Sequence, residues 1–133
     1  MIPTQGAVNT KLSSYVESPI AAAFISFLVG TIALFLCLLF AGMPLSSLAN
    51  SKNAPIIAWT GGLLGAFFVS AIAASVPRLG VAVTFSLAIA GQMLITLAID
   101  HFGFLDVPVK EISLARILGV ILIVAGVIVI RRF

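Results

Sequence analysis

Charge interrupts this chain only at long intervals. Between Glu17 and Lys52 lie 34 uncharged residues, between Lys52 and Arg78 another 25, and between Arg78 and Asp100 another 21. Each gap accommodates the roughly 20 apolar residues that a helix needs to cross about 30 Å of hydrocarbon. The last uncharged run, Ile117 to Ile130, has 14 residues. It reaches spanning length if the helix begins near Ile112 and Arg116 extends its guanidinium to the headgroups. The pattern predicts four spans, over residues 19–42, 55–76, 79–101 and 112–130. A membrane barrel would need segments of about ten residues alternating apolar with polar, and these runs are apolar throughout. With no water to satisfy backbone amides, helices remain. The expected fold class is an all-α membrane protein, a bundle of four full transmembrane helices plus a short N-terminal helix, forming one transmembrane domain over 1–133.

The connections fit this division. Pro19 and Pro55 suit the first turn of a helix. Gly42-Met43-Pro44 and the Ser/Asn/Lys stretch to Asn53 predict a polar loop. Pro77-Arg78 predicts a very tight turn that makes the second and third spans antiparallel neighbours, and Phe102 to Glu111 a longer loop with an apolar tip. Residues 2–16 stand apart. As a helix they extend about 22 Å, two-thirds of a crossing, with Gln5, Asn9 and Ser13 recurring every four residues along one face and Val8, Leu12 and Tyr15 largely on the other. The segment reads as a short or partly inserted helix, or as the tail of a spanning helix whose beginning lies outside this sequence.

Composition sharpens the reading. Of 133 residues, 62% are hydrophobic and 8% charged, against about 45–50% and 25% in a soluble domain, so lipid must cover what water would not. The net charge of +3 does not point to nucleic acid, because the seven Lys and Arg residues are scattered rather than clustered into a stripe. Lys11, Arg78, Arg131 and Arg132 would share one membrane face and Lys52, Lys110 and Arg116 the other. Orientation depends on an excess of such residues on one side. Four against three permits insertion both ways and hence an antiparallel homodimer; with the larger set inside, both termini are cytoplasmic. Cys37, within an apolar run, reads as a small packing residue. Trp59 reads as an interfacial anchor, and Phe67 and Phe68 as packing or lipid-facing.

Small residues at helical spacing mark surfaces for close helix approach, which drives association in lipid. They include the GxxxG pair Gly61 and Gly65, Ser26 and Gly30 on the first span, and Ser86 on the third. Polar groups inside spans are costly and therefore informative. Gln92 lies near the middle of the third span, with Thr96 and Asp100 following at four-residue steps. Gln5, Asn9, Gln92 and Thr96 are the candidate solute-binding groups, suiting a polar or weakly charged solute. Asp100 and His101 are candidate titratable groups beside a pathway, both peripheral. The plainer readings are that Gln92 hydrogen-bonds a neighbouring helix and that Asp100 and His101 mark the interface. One His and one Cys cannot supply a usual metal ligand set. No phosphate-binding loop is present, since GGLLG lies inside an apolar helix. No cofactor and no enzymatic role is expected.

The segments IPTQGAVNTKL, SPIAAAFISFLVGTIAL, WTGGLLGAFFVS, VPRLGVAVTFSLAIAGQMLITLAIDHFG and LARILGVILIVAGVIVIRRF together resemble the YdcZ-like family of small bacterial inner-membrane proteins, within the drug/metabolite transporter superfamily. The last helix also looks like the closing helix of small multidrug resistance exporters. The resemblance implies a half-size helical transporter of the bacterial inner membrane working as a dimer. Family members have five helices, and Pro3, Gln5 and Asn9 match the segment that ends the first. The membrane-embedded acid of the small multidrug exporters has no counterpart here, so their cation-for-proton exchange is not implied. The expected function is export of a small solute by alternating access. The alternatives are a small dual-topology ion channel or a non-transporting subunit of a membrane assembly.

Overall fold

In the computed structural model the chain is helical from its second residue. Residues 1–104 and 108–132 are described; the tip of the predicted 102–111 loop, at 105–107, lies outside the described residues, as do residue 133 and the side chain of Ser47. The elements are α1 (Ile2–Val16), α2 (Pro19–Phe40), the single turn α3 (Ser46–Ala49) with a 3-10 turn after it (Asn50–Asn53), α4 (Ile56–Leu79), α5 (Val81–Phe102) and α6 (Leu114–Arg132). Four of these, α2, α4, α5 and α6, are long and apolar enough to cross a membrane. Their 22, 24, 22 and 19 residues correspond to about 28–36 Å at 1.5 Å per residue, matching the hydrocarbon thickness. Internal contacts divide the chain into two compact units, Met1–Arg78 and Leu79–Phe133.

In the first unit, α1 and α2 form a hairpin. Glu17 closes α1 in the left-handed conformation (φ 54°), and Ser18 is extended, with its hydroxyl accepting the Ala21 amide at 3.2 Å. A serine cap followed by Pro19 at the first helical position supplies both helix-start signals in two residues. At its far end α2 stops two residues before the expected 42. Gly42 takes φ 64°, and its amide and that of Met43 return to the carbonyls of Leu39 and Leu38, satisfying orphan acceptors of the last turn. The stretch expected as a polar loop is instead wound into α3 and the 3-10 turn before α4 begins.

The tight turn expected at Pro77-Arg78 is not there. Helix α4 runs through both residues to Leu79, and the break falls on Gly80, with φ 80° and ψ 162°. A proline in the last turn removes only one amide, and membrane helices tolerate that loss; the terminator is the residue whose backbone no side chain permits. The region Gly80 occupies is essentially confined to glycine and costs other residues about 1–3 kcal/mol. Gly80→Ala is therefore expected to lower unfolding free energy by about 2 kcal/mol in a detergent titration, whereas Gly91→Ala, whose added methyl meets nothing within 4 Å, should not destabilise.

In the second unit, α5 and α6 form another hairpin. Gly103 (φ 64°) caps α5, its backbone N–H donating a hydrogen bond to the Ile99 carbonyl. Helix α6 begins at Leu114 rather than near Ile112, because Ser113 caps it: its carbonyl accepts from Arg116 and Ile117, and its hydroxyl lies 3.4 Å from the Arg116 amide.

The spans hide little of themselves within the chain. In the most covered, α5, 17% of its most apolar stretch is buried, and in α2 and α6 6%. Phe67 (76% exposed), Leu122 (71%) and Trp59 are among many large apolar side chains on the surface. A soluble monomer rarely shows contiguous apolar patches above a few hundred Å². Cys37, read as a small packing residue, is exposed within the chain.

Candidate functional site

Several hydroxyl groups within the helices find acceptors on their own backbone. Thr10 donates to the Gly6 carbonyl at 2.9 Å, Thr31 to Phe27 at 2.8 Å, Ser70 to Ala66 at 2.8 Å, Thr84 to Gly80 at 2.7 Å and Thr96 to Gln92 at 2.8 Å. A short side chain reaching the carbonyl one turn back is the usual way to carry a hydroxyl through hydrocarbon. The carboxamides have two donors each, and their solution differs from residue to residue.

Asn9 is the polar side chain the fold hides most thoroughly in the first unit. It is 4% exposed, and its Nδ2 has no hydrogen-bond partner among the described residues. With Gly6 it forms the buried face of α1. Gln5, one turn earlier, is exposed and lines a cleft of about 220 Å³ together with Ser26, Phe27, Gly30, Thr31 and Leu34 of α2. These α2 positions straddle the middle of a 22-residue span, so the Gln5 carboxamide sits at mid-span depth. The cleft has an apolar wall of Phe27 and Leu34 and a polar edge of Gln5, Ser26 and Thr31, with no charged residue. Gly65 of α4 leaves room for the Phe27 ring: a Cβ built there would come within 3.3 Å of its Cζ.

The second unit holds a cleft of about 250 Å³, lined by Met93, Thr96, Leu97 and Asp100 of α5 and by Arg116, Gly119, Val120 and Ile123 of α6. Its polar end is an ion pair, Arg116 Nη1 to Asp100 Oδ2 at 3.1 Å, between side chains 31% and 22% exposed. The same Nη1 lies 3.5 Å from the Lys110 carbonyl, and the Lys110 amide donates to the Asp100 carbonyl at 2.9 Å. Arg116 thereby ties the C-terminal turn of α5 to the first turn of α6.

The candidates thus fall into distinct places. Gln5 and Asn9 share α1, the first at the cleft and the second beneath the surface. Thr96 and Asp100 line the second cleft; Gln92, a turn above Thr96, is exposed outside its lining. His101 stacks edge-on against Phe102, ring centroids 5.1 Å apart, and does not line the cleft. Ser26 and Gly30 line the first cleft, Gly65 meets Phe27, and Gly61 is open. The lining roles of Thr31 and Phe27 had no sequence signal beyond their place in an apolar run. The partner of Asp100 had one: opposite charges 16 residues apart, flanking the loop between consecutive spans.

A protein-family model with the description "Putative inner membrane exporter, YdcZ" matches residues 1–129. Among curated proteins and solved structures, none gives a significant match.

Proposed function

The chain belongs to the YdcZ inner-membrane exporter family, a family of transporters rather than enzymes, and from that premise we propose that it exports a small polar or weakly charged solute by alternating access, as a pair of copies. Its multi-pass location in the inner membrane follows from the family and from the four spans. The observation that carries the proposal is the family match across nearly the whole chain. Two features of the chain support it. Its mid-span polar groups are carboxamides and hydroxyls, which suit solute recognition without a fixed charge. The open faces at Gly61 and Gly62, where an added Cβ meets nothing within 4 Å, leave room for a second copy to approach closely.

Gln5, Asn9, Gln92 and Thr96 are the proposed solute contacts. The test is protein-dependent counterflow in proteoliposomes with three solutes of one shape and different charge: N-acetyl-leucinamide (neutral), N-acetyl-leucine (anionic) and leucinamide (cationic). Saturable counterflow is expected, and Gln92→Leu should lower it tenfold or more. Undiminished flux in that variant removes Gln92 from the site. Single-channel steps in place of saturable exchange would make the protein a channel.

A further inference from the structure

The cleft of the second unit is charged at one end and apolar along the rest, as a bilayer leaflet is. Asp100 lies in the last turn of α5 and Arg116 in the first turn of α6, so their ion pair stands where the spans leave hydrocarbon. From there the lining descends through Leu97 and Met93 on α5 and through Val120 and Ile123 on α6. Each row covers two helical turns, about 10 Å of depth. Gly119 keeps the groove between the rows open: a Cβ added there meets nothing within 4 Å.

The charged pair is not saturated by its own contacts. Nη1 of Arg116 serves both Asp100 Oδ2 and the Lys110 carbonyl, at 3.1 and 3.5 Å. A guanidinium has further donors and a carboxylate a second acceptor oxygen. Among the described residues, Nη2 and Nε of Arg116 and Oδ1 of Asp100 have no hydrogen-bond partner. Side chains 31% and 22% exposed can be reached by a molecule in the cleft. The matching ligand brings an anionic acceptor for Arg116, a cationic donor for Asp100 and an alkyl chain for the apolar rows.

We propose that the α5–α6 cleft holds a zwitterionic aminophospholipid, phosphatidylethanolamine. Its phosphate meets Arg116, its ammonium meets Asp100, and the upper part of one acyl chain lies against the apolar rows. The inference goes beyond the transport reading and does not depend on it. Of the solute contacts proposed there, only Thr96 borders this cleft, and its hydroxyl is held by the Gln92 carbonyl. An anionic lipid would set its charge against Asp100 as well as Arg116, and a choline headgroup has no N–H to donate. A water-soluble zwitterion would leave the apolar rows uncovered. The volume of about 250 Å³ is below the 300–1,000 Å³ that enclose whole drug-sized ligands. It suits a segment of one chain whose remainder lies in the surrounding lipid.

Native mass spectrometry of the purified full chain, titrated with dioleoyl lipids that differ only in headgroup, gives the dissociation constant of each. The first phosphatidylethanolamine per chain is expected to bind about tenfold tighter than phosphatidylcholine or phosphatidylglycerol, the effect of one charge-assisted hydrogen bond. Gly119→Leu, whose side chain fills the groove, should abolish that preference. Gly91→Leu adds the same bulk at an exposed position outside the lining and should keep it. The double variant Asp100→Leu/Arg116→Leu should bind the three lipids alike, and decides the matter if Gly119→Leu does not fold. Phosphoethanolamine, the headgroup without its chains, should not displace the lipid at equal concentration. Equal affinities in the wild type, preference for another headgroup, a preference that survives Gly119→Leu or the double variant, its loss in Gly91→Leu, or displacement by phosphoethanolamine would each overturn the proposal.

Discussion

Phe67→Lys is expected to prevent α4 from inserting in most copies of the chain, while Ile56→Lys on the same helix leaves insertion nearly intact. Phe67 sits at the centre of the 24-residue helix Ile56–Leu79 and is 76% exposed, whereas Ile56 is its first residue and 87% exposed. In water the two substitutions would be equally harmless, since both replace an exposed apolar group with a solvated one. In a bilayer they differ by depth. A lysine at the middle of a span costs about 3 kcal/mol on insertion scales, on the order of a hundredfold in the insertion equilibrium. At the end of the span the ammonium reaches the headgroups on its own methylene stem. Glycosylation reporters placed on either side of α4 give the inserted fraction. Equal insertion of the two variants would mean that depth, and so the membrane, is irrelevant to this helix.

The second large effect is expected at the α5–α6 hairpin. Arg116→Leu leaves Asp100, at 22% exposure, without its 3.1 Å partner and leaves the Lys110 carbonyl without its side-chain donor. Exposed pairs contribute about 0–1 kcal/mol, and breaking a fully buried pair costs about 3–5 kcal/mol. With both side chains less than a third exposed, a loss of about 2 kcal/mol is expected. The double variant Asp100→Leu/Arg116→Leu should recover more than half of that loss, because the greater part of the penalty is the stranded carboxylate rather than the missing attraction. Unfolding free energies of the two single variants, the double variant and the wild type complete a double-mutant cycle. Single-variant losses that simply add in the double variant, leaving no interaction energy, would show that the pair contributes nothing through its charges.

How much of this was legible in the sequence depended on the kind of signal. The spans were readable because charge is excluded from hydrocarbon over distances of 20 residues or more, so the gaps between Glu17, Lys52, Arg78 and Asp100 located them within a few positions. Their ends were less readable, because a helix end is set by one backbone conformation or one cap. Pro77-Arg78 looked like a terminator, yet Gly80 terminates α4; Ile112 looked like a start, yet the hydroxyl and carbonyl of Ser113 set it at Leu114. The amides Gln5, Asn9 and Gln92 stood out by chemistry alone. That Asn9 would be buried and unpartnered while Gln5 opened onto a cleft was not legible, because the two residues share one helical face and only the approach of α2 distinguishes them. The Asp100–Arg116 pair joins side chains on two different helices, which the periodicity of neither helix encodes.

The central claim is that the wide apolar surfaces of these helices face hydrocarbon. Leu122 lies at the middle of α6 and is 71% exposed, and Cys37 is the sole cysteine. A spin label at Leu122→Cys in a Cys37→Ser background, in bilayers, therefore reads the claim directly. Oxygen dissolves in lipid and a nickel chelate does not, so frequent collisions with oxygen and few with nickel are expected. A label as open to the nickel chelate as one at Lys52→Cys in the connecting segment would place the surface of α6 in water and contradict the account.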